Sequence, residues 1–227
     1  MRNLKRALSL TLASIMLLGM MIVGTSAASF PDVDDNNNVE AIEVLNAVGV
    51  MIGDNGNFKP DAPVTRNEMA VIMAKLLLGT YAADSYVGTH PFTDVPSGAD
   101  KFVAACYASS IVAGTSATTY DGQSTVTAVQ AAAMMLRALG YENLSKGAAR
   151  WDQPVAAKAN EINLFEGMNG NGNAPMNRDS VAKLALNALQ ATMVTSEQTS
   201  ADIQIGDVTL AGVMKLDGSA LARWTTA

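Results

Sequence analysis

The chain of 227 residues is 49% hydrophobic but only 5% aromatic, and its formal net charge is −6. This length and apolar content suffice for one or two domains with a buried core, and the many alanines and methionines favour packed helices over a large β-sandwich. The negative charge argues against nucleic-acid binding, because a phosphate backbone repels an acidic surface.

The first 28 residues have the pattern of a secretory signal peptide. Arg2, Lys5 and Arg6 precede an apolar stretch at 8–23, and the small residues at 25–28 suit a cleavage site. An uncleaved membrane anchor is the alternative, because the apolar stretch is long for a signal peptide. After cleavage the chain would be secreted and still more acidic, and no later stretch is long enough to span a membrane.

No constellation of residues points to catalysis. The chain has one histidine, His90, and one cysteine, Cys106, which are too few for a zinc cluster and stand in no triad pattern. Cys106 lies among apolar residues and is expected to be a buried core residue, with a reactive thiol as the alternative. We therefore predict that the protein is not an enzyme and has no cofactor.

A short pattern recurs along the chain, which is typical of repeat proteins. Phe30-Pro31-Asp32-Val33 returns as Phe92-Thr93-Asp94-Val95, and the segment at 63–67 returns at 175–179. Three units are predicted, at residues 29–80, 92–141 and 142–192.

Each unit is predicted to hold two helices, which in the first unit run from 39 to 48 and from about 66 to 78. Gly53, Gly114 and Gly167 are expected to close the first helix of each unit. Along the second helix, apolar residues form one stripe, in the same register in all three units. No unit can bury its stripe alone, so three helices should meet around a common axis. The stripes are Met69, Ile72, Met73, Leu76 and Leu77; Ala131, Met134, Met135, Ala138 and Leu139; and Val181, Leu184, Ala185, Ala188 and Leu189.

The starts of these second helices are specified locally. Thr65 and Thr127 each stand three residues before a Glu or Gln, as in a capping box. Asn177 is a good N-cap but has Ser180 at the reciprocal position, so its cap should be weaker.

These motifs resemble S-layer homology domains over residues 30–192. The marks of that family are a Phe-x-Asp-Val start, an Ala-Ile helix, a glycine turn, a Phe-x-Pro segment and a Thr-Arg-Ala-Glu helix start. In this sequence they correspond to residues 30–33, 41–42, 53, 58–60 and 65–68. The resemblance implies a mainly α fold in which three helical repeats form a pseudo-threefold bundle.

The resemblance also implies that grooves between repeats bind secondary cell-wall polysaccharide, often pyruvylated, so that a secreted protein is held non-covalently at the cell surface. The family residues for this role are the first-motif Asp, the loop Gly, the helix-start Arg and an early Trp. Ala128 replaces the arginine in the second unit, so one or two working grooves are expected instead of three. The matching residues are Asp32, Gly53 and Arg66 in the first unit, Asp94 and Gly114 in the second, and Trp151, Gly167 and Arg178 in the third.

The chemistry of these residue types supports the same interpretation. Arg66 opposes the helix dipole, yet a guanidinium can bind a carboxylate through two parallel hydrogen bonds, and helix N–H groups favour an anion. Trp151 could stack on a sugar face. The alternatives are that Arg66 and Arg178 form ion pairs with Asp32 or another acid, that Trp151 fills the core, and that Asp32 and Asp94 only cap turns.

A calcium loop is an alternative interpretation of residues 32–43. Asp32, Asp34, Asn36 and Glu43 fit the spacing of an EF-hand loop, but Asn37 replaces its glycine and no helix precedes it. We predict no metal site.

Residues 195–227 differ in character from the repeats. Apolar residues alternate there around turn signals at 206–207 and 217–218, which predicts a short β-type tail. A second hypothesis about function is a structural envelope protein that self-associates into a surface array or binds another envelope protein.

Overall fold

The computed structural model describes residues 30–79, 82–141, 143–168, 172–198, 203–205, 208–210 and 222–226. The predicted signal peptide lies outside the described residues. Among those residues no helix is long and apolar enough to cross a membrane. The described part contains six α-helices: α1 (Val39–Ala47), α2 (Arg66–Leu78), α3 (Ser97–Ala108), α4 (Ala128–Ala138), α5 (Asp152–Glu161) and α6 (Arg178–Gln190).

The described part of the tail contains four short strands in two antiparallel pairs. β1 (Val194–Gln198) pairs with β4 (Ala222–Thr226), and β2 (Ile203–Ile205) pairs with β3 (Val208–Leu210). The N–H of Val194 donates to the carbonyl of Leu139 at 2.9 Å, so the tail begins against the end of α4.

The three repeats close into a ring. Each repeat supplies one short helix (α1, α3, α5) and one long helix (α2, α4, α6). The long helix of each repeat packs on the short helix of the next: α2 on α3, α4 on α5, and α6 on α1. The last repeat therefore contacts the first.

A triangle of backbone hydrogen bonds marks the pseudo-threefold axis. The N–H of Val64 donates to Met176 O, that of Met176 donates to Val126 O, and that of Val126 donates to Val64 O, each at 2.9 Å. All three residues are buried. The predicted bundle around a common axis is confirmed.

The predicted apolar stripes face this axis. All their members are buried except Ala138, which is partly buried and packs on the core. At the C-terminal ends of the long helices the stripes leave an apolar hollow. Its walls are Met73, Leu76, Leu77, Met135, Ala138, Leu139, Ala185, Ala188, Leu189 and Met193.

The predicted caps are present at all three long helices. Thr65 accepts from the N–H of Glu68 at 3.2 Å, while the Glu68 carboxylate accepts from the N–H of Thr65 at 2.7 Å. Thr127 forms the same reciprocal pair with its glutamine. Asn177 accepts from Ser180 at 2.9 Å without a reciprocal bond, as expected from the missing Glu or Gln.

The prediction that Gly53, Gly114 and Gly167 close the short helices is wrong. Those helices end earlier, and the chain turns where a left-handed residue lets the next N–H groups reach back to the last helical carbonyls. These left-handed residues are Gly49 (φ 72°), Ser110 (φ 58°) and Asn163 (φ 59°).

Cys106 is a core residue, as predicted. Its side chain is completely buried and its Sγ lies 3.4 Å from the carbonyl of Ala70 on α2. Burial raises the pKa of the thiol to about 12, so it stays protonated and unreactive.

Candidate functional site

Three boundaries between repeats, named grooves A, B and C, lie where the start of a long helix meets the loop of the next repeat. The site residues predicted within one repeat are therefore divided between two grooves. Groove A comprises Arg178 of repeat 3 with Asp32, Ile52, Gly53 and Phe58 of repeat 1. Groove B comprises Arg66 of repeat 1 with Asp94, Ala113, Gly114 and Tyr120 of repeat 2. Groove C is the corresponding boundary between repeats 2 and 3, where the N–H groups of Ala128 and Val129 donate to the carbonyls of Ala174 and Gly172 at 3.0 and 2.7 Å. Glu166 and Gly167 are the sequence equivalents of Ile52 and Gly53 in repeat 3.

In groove A the arginine is held by the loop of the next repeat. Arg178 donates from Nε to the carbonyl of Phe58 at 2.7 Å and from Nη2 to that of Ile52 at 3.0 Å. Its guanidinium lies over the ring of Phe58, 4.6 Å from the centroid. Burial lowers the pKa of Arg178, and the negative charges of Glu68, Asp32 and Asp54 offset this in part.

Groove B repeats this arrangement. Arg66 donates from Nε to the carbonyl of Tyr120 at 3.2 Å and from Nη2 to that of Ala113 at 3.1 Å. The guanidinium lies 4.8 Å from the centroid of the Tyr120 ring, and only 8% of the arginine is exposed.

Both arginines bind the neighbouring loop through the same edge of the guanidinium and form no ion pair among the described residues. Each uses the Nε side of its guanidinium on backbone carbonyls, and no hydrogen bond from Nη1 is found among the described residues. Neither forms an ion pair in that part of the chain, and the alternative that Arg66 or Arg178 bridges directly to Asp32 is wrong. The Nη1/Nη2 edge of each can still take a carboxylate.

Asp32 holds the loop that carries these carbonyls. Its two carboxylate oxygens accept from the N–H groups of Phe58 at 2.8 Å and Lys59 at 2.7 Å. Burial by itself raises the pKa of Asp32, but these two donors and the charge of Arg178 outweigh it, so the pKa lies below the ordinary value.

Asp94 does the same in groove B. It accepts from the N–H groups of Tyr120 and Asp121, both at 2.8 Å, and these bonds lower its pKa. Both aspartates thus orient the loop carbonyls toward the arginine of the preceding repeat.

Gly53 and Gly114 permit a close approach of an aromatic ring. A Cβ at Gly53 would lie 2.3 Å from Cε1 of Phe30, and one at Gly114 would lie 2.5 Å from Cε1 of Phe92. These glycines let the first-motif phenylalanine pack beneath the loop of its own repeat, which is a structural role.

Groove C is built differently. Ala128 is completely buried and offers no charge. Trp151 is 46% exposed at the start of α5, so the alternative that it fills the core is wrong. Its carbonyl accepts from the hydroxyl of Ser145 at 2.7 Å, and no hydrogen bond or ring contact joins it to Arg178 among the described residues. Gly167 adopts a left-handed conformation, φ 70°.

The helix N–H groups are not available to an anion, contrary to the sequence-based expectation. In groove B, the N–H groups of Arg66 and Asn67 donate to the carbonyls of Ser124 and Gly122, both at 2.9 Å. The other two long helices are capped by the next loop in the same way. These N–H groups at the helix starts are therefore not free to hold an anion.

The calcium pattern is occupied by local turns. Asp34 accepts from the N–H of Asn36 at 2.8 Å, and Asn37 accepts from that of Asp34 at 3.0 Å. Both oxygens of Asp32 are engaged by the loop. No group of three metal-ligating side chains occurs among the residues that the structure describes.

Sequence reasoning missed the residue that follows the helix-start arginine. Asp179 is buried and accepts from the backbone and side-chain N–H groups of Asn38 at 2.7 and 2.6 Å, which ties repeat 3 to repeat 1. Asn67, at the same place in repeat 1, is buried against Gly122 with no partner for its amide among the described residues. The signal in the sequence was that Asn67 and Asp179 are polar residues in helices whose other residues are mostly apolar.

Comparison with known proteins agrees with this architecture. The family model of the S-layer homology domain matches residues 29–70 and 91–132. The chain is 30% identical to the middle cell wall protein of Brevibacillus brevis over 205 residues, which is 88% of this chain and 19% of that protein.

Two further relatives are surface proteins by name. The cell surface protein of Thermoanaerobacter kivui is 29% identical over 201 residues, 86% of this chain and 26% of that protein. The surface layer protein of Brevibacillus choshinensis is 29% identical over 170 residues, 73% of this chain and 15% of that protein. The chain thus spans about a quarter or less of the length of these relatives. The chain is thus similar to S-layer homology domain proteins, with the family match at residues 29–70 and 91–132, and the relatives compared are named as cell-wall, cell-surface and surface-layer proteins.

Proposed function

We propose that this chain anchors a protein non-covalently to the bacterial cell wall by binding pyruvylated secondary cell-wall polysaccharide in grooves A and B, without catalysis. The observation that carries the proposal is the state of Arg66 and Arg178. Arg66 is buried and Arg178 is half-buried at a repeat boundary, and neither has an ion pair among the described residues. Buried charges in proteins are normally paired, because desolvation is costly, so an anionic ligand would supply the missing partner.

The geometry suits a carboxylate on a sugar. The neighbouring loop fixes each guanidinium from one side, and the aromatic ring of Phe58 or Tyr120 lies against its face. The Nη1/Nη2 edge can then donate two parallel hydrogen bonds to one carboxylate, the arrangement that arginine favours. Groove C has no such cation at Ala128 and is not expected to bind an acidic polymer.

The proposal is tested by pull-down with purified cell-wall sacculi. The wild-type chain should sediment with sacculi, and stripping the polysaccharide with hydrofluoric acid should abolish this. Arg178→Ala and Arg66→Ala should each weaken binding about tenfold or more, as expected for a lost charge-assisted pair.

Ala128→Ser in groove C is the matched control and should bind like wild type. Circular dichroism of each variant checks that the fold survives, because both arginines also hold a loop. Sedimentation that is unchanged on stripped sacculi would contradict the proposal.

The second candidate function is assembly into a surface array, which the name of the surface layer protein among the relatives favours. It predicts particles that grow with protein concentration in light scattering without any wall polymer. A monomer that binds sacculi would contradict this second candidate.

A further inference from the structure

The residue just before the loop glycine differs in each groove. It is Ile52 in groove A, Ala113 in groove B and Glu166 in groove C. In grooves A and B its carbonyl accepts from Nη2 of the groove arginine, at 3.0 and 3.1 Å. Its side chain is therefore carried on a backbone that is bonded directly to the guanidinium.

Ile52 is held with its side chain in solvent. It is 57% exposed, whereas Met51 before it is only 2% exposed. On its other side, Gly53 lies against the ring of Phe30. Because the chain is packed on one side and bonded to Arg178 on the other, Ile52 cannot turn into the core. Single exposed apolar residues are common on protein surfaces, but this one stands beside a cation that lacks an ion pair.

The side chain at this position sets a different chemical environment beside each groove. Ile52 offers an apolar wall next to a cation, and Ala113 offers little contact surface next to a cation. Glu166 offers a negative charge, and Ala128 stands where the other two boundaries have an arginine, while the side chain of Lys183 lies beside Gly167. An anion with an apolar group next to it would be favoured in groove A over groove B.

We infer that Ile52 is a specificity-determining residue of groove A, which packs on the methyl group next to the carboxylate of a ketal-linked pyruvyl sugar. Arg178 binds the carboxylate, and Ile52 covers the methyl carbon attached to the same ketal centre. Groove A is then the strongest of the three grooves. This inference rests on the proposed function, because it assigns a further contact in the same site.

The test measures binding of the full chain to sacculi by titration. Ile52→Ala should raise the apparent Kd about five- to tenfold, through loss of the apolar contact. Ile52→Leu should bind nearly as tightly as wild type, since it keeps the apolar volume. Ile52→Glu, which copies groove C, should bind no better than Arg178→Ala. Because residue 52 is exposed, all three variants should keep the wild-type melting temperature.

A second titration uses sacculi treated with mild acid, which hydrolyses ketals and leaves the glycan backbone. Wild type and Ile52→Ala should bind these sacculi equally weakly, because the methyl group that distinguishes them has been removed. A penalty of the same size on both kinds of sacculi, or no penalty on untreated sacculi, would overturn the inference.

Groove B supplies the reverse experiment. In the background of Arg178→Ala, where groove A is disabled, Ala113→Ile should strengthen binding to untreated sacculi about threefold or more. No gain would count against the role assigned to this position. Failure of the wild-type chain to bind sacculi at all would instead overturn the proposed function, so the two failures are distinguishable.

Discussion

Asp32 and Asp94 occupy equivalent places in repeats 1 and 2, and each organises a loop through two backbone N–H groups. An ionised carboxylate can accept both bonds at once, whereas an amide would place an NH2 group against one of the donors. The stability of each loop therefore depends on the charge state of one side chain.

This dependence predicts the effect of Asp32→Asn at different pH values. The folded pKa of Asp32 lies below the ordinary value of 3.8. The carboxylate therefore stabilises the fold above the unfolded pKa, and this contribution disappears as the pH falls through the folded pKa. We expect Asp32→Asn to melt at a lower temperature than wild type at pH 7, with the difference vanishing near the acid limit of folding.

Thermal unfolding followed by circular dichroism at several pH values measures this difference. Asp35→Asn is the control, because that side chain is exposed and forms no hydrogen bond among the described residues, and it should be neutral throughout. A penalty for Asp32→Asn that does not change with pH would contradict the electrostatic explanation.

The helix-start motif predicts that Arg66 and Arg178 are functional residues, but it does not predict which groups they bind. Their acceptors are backbone carbonyls 54 and 120 residues away, and a carbonyl carries no residue type that a motif could show. For the same reason the sequence left ion pairing with Asp32 open, which the structure contradicts.

At the scale of elements, the helices follow local rules. The long helix begins at Arg66 as predicted because Thr65 and Glu68 satisfy its first free N–H groups. The ends of the short helices were misplaced, because left-handed turns formed by Ser110 and Asn163 need no glycine. Asn tolerates this conformation better than most residues, while nothing in the sequence singles out Ser110.

The junction between α4 and the tail supplies a prediction at this scale. Gly140 has φ 100°, and a Cβ there would lie 2.0 Å from the carbonyl oxygen of Val194. We expect Gly140→Ala to lower the free energy of unfolding by more than about 2 kcal/mol, because the left-handed strain adds to a backbone clash.

Urea unfolding measures that loss, and Gly147→Ala is the matched control. Gly147 also has a left-handed φ, 76°, but its Cβ would meet no atom within 4 Å. Its substitution should cost only about 1 kcal/mol. Equal losses for the two variants would mean that the contact with Val194 does not form in solution.

At the scale of the whole molecule, the ring makes the repeats interdependent. Each long helix buries its stripe against the others, and the start of each is capped by the loop of the following repeat. Asn38 and Asp179 join the first repeat to the last. Stability is thus a property of the closed ring and not a sum of three separate units.

The apolar hollow at the end of the long helices is the weak point of this packing. Its walls are leucines and methionines together with the smaller Ala138, Ala185 and Ala188. We expect Ala188→Leu to raise the free energy of unfolding by about 1 kcal/mol, because the added carbons fill space that the three stripes leave empty.

The matched control is Ala131→Leu, on the same kind of stripe but at a completely buried position away from the hollow. It should destabilise the fold by about 1–3 kcal/mol, because the core there has no room. Urea unfolding again gives both values, and a loss of stability for Ala188→Leu would show that the hollow closes in solution.

The sequence by itself determined the helices, their caps, the apolar stripes and the threefold repeat, because each depends on residues only a few positions apart. It also identified Arg66 and Arg178 as unusual, since a cation at a helix start opposes the dipole. Only the tertiary structure decided which arginine meets which loop. The grooves form between consecutive repeats of a closed ring, so Arg178 of repeat 3 meets the repeat-1 loop that Asp32 holds. That pairing depends on ring closure, which no local pattern specifies.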